Sequence, residues 1–121
     1  MSTLVSSVSA LAPLHINATY PAPDTVRVAV VGEVDIATAP TLRETLLNVL
    51  DRRAPAVVDI NLAGVTFLDC AGVGALVAVT NAAALTGARI RVTHARAVVR
   101  QVLSLTGLLG AIIQATDEGS Y

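Results

Sequence analysis

The apolar run from Val57 to Leu68, closed by Asp69 and followed by a charge-free stretch to residue 88, most narrows what this chain can become. Gly72 and Gly74 follow the acid closely. The pattern predicts a buried strand, a tight turn and a helix whose first turn lies over Asp69. An acidic side chain there accepts hydrogen bonds from the free N–H groups of a helix start and suits the positive end of the helix dipole. A plain N-cap explains the acid equally well, and spacing alone does not separate the two.

The rest of the chain must fit around that unit. Its 121 residues have room for one domain with one core, and with 54% hydrophobic residues but 2% aromatic, Val, Leu, Ile and Ala must fill the interior. Net charge is −1 and all eight basic residues are arginines, which leaves no electrostatic footprint for nucleic acid or an anionic membrane. One cysteine excludes an internal disulfide framework and fits a reducing compartment. Residues 1–12 lack the basic region and long apolar core of a signal peptide. Residues 70–88 are 19 positions without charge, close to spanning length, but Thr80, Asn81, Thr86 and several Gly and Ala interrupt them. They are expected to form a buried helix, and the protein is expected in the cytoplasm.

In order, residues 1–12, rich in Ser and Ala, are expected as a flexible N-terminal tail, 13–115 as one domain and 116–121 as a short C-terminal tail. Leu14, Ile16, Ala18 and Tyr20 alternate with polar residues as in a half-buried strand. A turn at Pro21–Asp24 and a second strand over residues 25–31, with Val26, Val28 and Val30 on one face, predict an antiparallel hairpin. Thr38 is a fitting N-cap with Pro40 in the first turn, and Leu42, Leu46, Val49 and Leu50 draw one apolar stripe. A strand over residues 89–93, a helix marked by Val98, Val99, Val102 and Leu103, and an edge strand over residues 110–115 complete the pattern. Strands alternating with helices after residue 25 require parallel pairing through right-handed crossovers.

The helix after Asp69 has two apolar sides. Val73, Leu76, Val77 and Thr80 are expected to meet the sheet, while Ala71, Gly74, Ala75, Ala78, Ala82 and Leu85 form a second stripe that is small and uncharged. Such a stripe fits either a docking face for a close-approaching partner or a helix internal on both sides. Glu33 and Asp35 follow a strand; if that strand neighbours the one ending at Leu68, three carboxylates rim the helix start and suit a partner bearing Arg or Lys. Solvated loop acids are the plainer account.

Phe67-Leu68-Asp69-Cys70-Ala71-Gly72-Val73-Gly74 resembles the signature of the STAS domain, the fold of anti-anti-sigma factors, and Val31-Gly32-Glu33-Val34-Asp35-Ile36-Ala37-Thr38-Ala39-Pro40 resembles that family's second common segment. The likeness extends over residues 14–113. It implies an α/β sandwich: one mixed, mostly parallel sheet of four to five strands packed with three to four α-helices. It also implies an anti-sigma factor antagonist that binds an anti-sigma factor, often kinase-like; the acidic rim, the helix start and the small stripe give Glu33, Asp35, Asp69, Cys70, Ala71, Gly72, Gly74, Ala75 and Ala78 as the partner-binding set. In the family the acid is usually followed by two serines and a glycine, and a partner kinase phosphorylates the second serine. Cys70 and Ala71 stand there instead, so the usual acceptor is missing. The alternative is a STAS-type scaffold or small-ligand sensor that assembles with other STAS proteins, and a homodimer is open. Such family members usually end in a further helix.

Catalysis is not expected. Cys70 beside a helix start could serve as a nucleophile, or be oxidised, but nothing points His15 or His94 at it, and Asp69 opposes thiolate formation. No metal-ligand spacing occurs and no cofactor is implied; Gly72-Val73-Gly74 lacks the fuller pattern of a nucleotide loop.

Overall fold

The computed structural model describes residues 14–105. Within them lie β1 (Leu14–Ala22), β2 (Thr25–Val34), α1 (Ala39–Arg53), β3 (Val57–Leu68), α2 (Cys70–Thr86), β4 (Arg89–Thr93) and α3 (Ala97–Leu105). The four strands form one sheet in the order β1-β2-β3-β4. β1 runs antiparallel to β2, and β2, β3 and β4 are parallel, so the sheet is mixed as expected. The expected strand over 110–115 and both tails lie outside the described residues.

Alternation sets the core. Val26, Val28 and Val30 of β2, Val58, Ile60 and Leu62 of β3, and Ile90 and Val92 of β4 are all buried. α1 adds Leu42, Leu46 and Leu50 at four-residue spacing, with Arg43, Glu44 and Asp51 exposed on its other side. The two parallel crossovers step in one direction across the sheet, and α1 packs against α2. Val99 and Leu103 anchor α3, which packs on β3. On the opposite pleat, Asp59 is buried and ion-paired to Arg91 Nε at 3.0 Å. Paired in this way, the carboxylate is a tolerable guest in a central strand.

Several expectations shift. β1 continues through Pro21 to Ala22, with an irregular register between Thr19 and Ala22, so the turn shrinks to Pro23-Asp24. β2 does not stop at Val31 but reaches Val34, because β3 is long enough to pair with it throughout. Two register shifts accommodate this, and Gly32, at φ 129°, supplies a conformation at the second that side-chain-bearing residues rarely adopt. α1 ends at Ala54 in the left-handed region with Pro55 behind it, and α2 ends on Gly87.

Candidate partner-binding site

The site forms where β2 and β3 end side by side. Val34 pairs with Leu68, and Asp69 N–H donates to the Val34 carbonyl at 3.2 Å, so the segments after Val34 and Leu68 leave the sheet together. Asp69 Oδ1 accepts from Ala71 N–H at 2.9 Å and Gly72 N–H at 3.3 Å, which caps α2 as expected. Gly72 then comes down on the strand ends. A Cβ there would lie 2.4 Å from Leu68 Cδ1 and 2.8 Å from Val34 Cγ1, so the close approach needs glycine.

The other junction is built differently. Asp35 Oδ1 accepts from Ala37 N–H at 2.9 Å and Thr38 N–H at 3.1 Å. Thr38 holds the cap position of α1, but its side chain makes no capping bond. Its hydroxyl donates back to the Glu33 carbonyl at 2.7 Å and accepts from Asp35 N–H at 3.0 Å. This buried knot pulls the loop against β2 and leaves Ile36 80% exposed.

The starts of α1 and α2 enclose a shallow groove of about 400 Å³. Ile36, Ala39, Pro40 and Arg43 line one side, Ala71, Gly74 and Ala75 the other. Of the expected binding residues, Ala71, Gly74 and Ala75 therefore come together. Cys70 is exposed, Asp35 and Asp69 are half-buried, and Glu33 is exposed opposite Phe67. Gly72 is buried beneath the turn, and Ala78 is half-buried further along α2.

The second stripe of α2 is not one free surface. Ala75 is 4% exposed, and Ala71, Ala78 and Ala82 are half-buried, on a helix that packs against α1. The sheet-facing side is also rotated. Val73 and Leu76 are buried with Val79 and Ala83, whereas Val77 is 37% exposed and the half-buried Thr80 donates to the Leu76 carbonyl at 2.8 Å. Cys70, Gly74, Val77, Asn81 and Ala84 make the outward face. The rim of three carboxylates is likewise narrower than expected, since Asp35 and Asp69 turn an oxygen inward to backbone N–H groups.

Sequence reasoning missed Ile36 and Arg43. Ile36 was legible as an isolated large apolar residue in a loop. Parallel pairing of β2 with β3 would also have set the start of α1, with Arg43 one turn in, beside the start of α2. His15 lies on β1 and His94 just beyond β4, at opposite edges of the sheet, and both are exposed. Among the described residues no helix is long and apolar enough to cross a membrane.

The chain belongs to the STAS domain family, whose model matches residues 18–118. The anti-sigma factor antagonist SpoIIAA in its unphosphorylated form is similar, with a TM-score of 0.73 and 21% identity over 88% of this chain and 92% of that one. An anti-sigma factor antagonist from Mycobacterium paratuberculosis matches with a TM-score of 0.71 and 25% identity, covering 88% of this chain and 90% of that one. The STAS domain of a SulP transporter from Vibrio cholerae matches at 0.61 and 20%, covering 84% and 80%. The likenesses to SpoIIAA and to the transporter domain show the fold. No curated protein matches significantly.

Proposed function

We propose that this chain is a binding module without catalytic activity, an anti-sigma factor antagonist that engages an anti-sigma factor in the cytoplasm and so regulates transcription. One observation carries the reading: beside the Asp69 turn lies an open groove, flanked by exposed Cys70 and Gly74, on a helix with no charged side chain. Likeness to two anti-sigma factor antagonists supports it. Ala71 occupies the position where family resemblance expects the phosphorylated serine, and it has no hydroxyl. The module is then binding-competent whenever it is made, and its control lies in expression, in a ligand, or at another residue.

Purified anti-sigma factors from the same genome test this by pull-down against wild type and Gly74→Arg. Position 74 has open space around it, so the variant keeps its melting curve while losing the complex. An unchanged complex would remove the groove from the docking site. In the same experiment, ATP and a kinase-like partner leave the intact mass unchanged; stoichiometric phosphorylation that weakens the complex would overturn constitutive competence. The transporter-domain likeness favours a second reading, a scaffold that assembles with other STAS proteins, and co-elution with those proteins alone would select it.

A further inference from the structure

We infer that Arg43 selects the partner: the segment that occupies the groove presents a carboxylate to its guanidinium beside an apolar side chain. This rests on the groove being the docking site proposed above.

Of the seven residues around the groove, Arg43 alone is charged. The helix positions that could pair with it, three and four residues away on either side, hold Ala39, Pro40, Leu46 and Leu47. The opposing wall belongs to α2, which carries no charged side chain from Cys70 to Thr86. Asp35 and Asp69 already give their Oδ1 atoms to backbone N–H groups. Glu44, next along α1, projects about 100° around the helix from Arg43. No ion pair or side-chain hydrogen bond engages Arg43 among the described residues.

A guanidinium on an apolar groove, without a partner among the described residues, is a directional recognition element. It takes a carboxylate through two parallel N–H···O bonds, a geometry that fixes orientation as well as charge. Ile36, Pro40, Ala71 and Gly74 around it offer contact for one aliphatic side chain and no competing acid. Water excluded by that contact strengthens the ion pair beyond what an exposed surface pair achieves. The three-carboxylate rim drawn from sequence called for a basic partner; Arg43 adds a site of opposite sign, so the partner segment must include an acid.

The test titrates the anti-sigma factor retained in the pull-down against wild type, Arg43→Gln, Arg43→Lys and the control Glu44→Gln, at low and high salt. Loss of the charge weakens binding about tenfold at low salt and flattens the salt dependence, as for a desolvated interfacial charge. Arg43→Lys keeps the salt dependence with part of the affinity, and Glu44→Gln behaves as wild type. Equal affinity and salt slope for Arg43→Gln would overturn the inference while leaving the docking site standing, provided Gly74→Arg still abolishes the complex. If no anti-sigma factor binds the wild type, both fall. If sedimentation shows instead a self-association that Arg43→Gln abolishes, a second copy fills the groove and the inference is overturned.

Discussion

At the end of β2 and again at the end of β3, an aspartate turns its Oδ1 back onto two backbone N–H groups, yet the two junctions come out differently. After Asp69 the helix starts at once, the side chain serves as its cap, and Gly72 drops onto Leu68 and Val34. After Asp35 three residues intervene, and the Thr38 hydroxyl at the cap position bonds back to β2 rather than forward to α1. The first junction clamps a helix to the sheet, and the second displays a loop with Ile36 at its tip. The same local device thus gives a helix start seated on the strand ends on one side of the groove and a displayed apolar loop residue on the other. That division suits a site in which α2 fixes position while Ile36 and Arg43 meet the partner.

The clamp is the easier half to break. Gly72→Val places three carbons where Leu68 and Val34 already touch, and overpacking of this kind costs about 3 kcal/mol. Urea denaturation should show that loss as a lower midpoint with unchanged slope. A loss below about 1 kcal/mol would mean the strand ends yield, and the close approach at Gly72 would then not set this junction apart.

A smaller effect is expected on the display side. Thr38 is 8% exposed, and Thr38→Val keeps its shape while leaving the Glu33 carbonyl and the Asp35 N–H without partners. Stranding such groups costs about 2 kcal/mol. Amide hydrogen exchange should accelerate at Ala37 and Thr38 and stay unchanged at Ala71 and Gly72. Equal acceleration at both turns would couple the junctions and remove the contrast.

Much of this arrangement could be read before the fold was known. The alternation of Val26, Val28 and Val30, the four-residue stripe of Leu42, Leu46 and Leu50, and the acid-glycine start of α2 follow from periodicity and capping alone. The phase of α2 did not, because a helix without charge is apolar all round and its pattern cannot say which side faces the sheet. Val77 and Ala75 consequently exchanged places between surface and interior. The job of Thr38 was hidden for another reason: Ser and Thr at such positions bond forward to a helix or backward to a strand, and tertiary position decides. Arg43 went unnoticed because its meaning depends on what stands across the groove.

The smallest expected effect separates charge from hydrogen bonding at the two acids. Asparagine keeps an Oδ1 acceptor and caps helices about as well as aspartate, so Asp69→Asn and Asp35→Asn both preserve their turns. What each loses is the negative charge. At Asp69 that charge faces the free N–H groups of a 17-residue helix directly, and its loss should cost about 0.5 kcal/mol at low salt. At Asp35 the first turn of α1 begins farther along, Pro40 lacks an N–H, and the Asp35 carbonyl already takes the Ala39 N–H at 2.8 Å. The macrodipole fades within one turn, so Asp35→Asn should cost no more than about 0.2 kcal/mol. Paired thermal melts at low and high ionic strength check this, because screening should erase the difference between the variants without touching the turns. If both lose the same stability at every salt concentration, the helix dipole plays no part, and the junctions differ in how the chain is routed rather than in electrostatics.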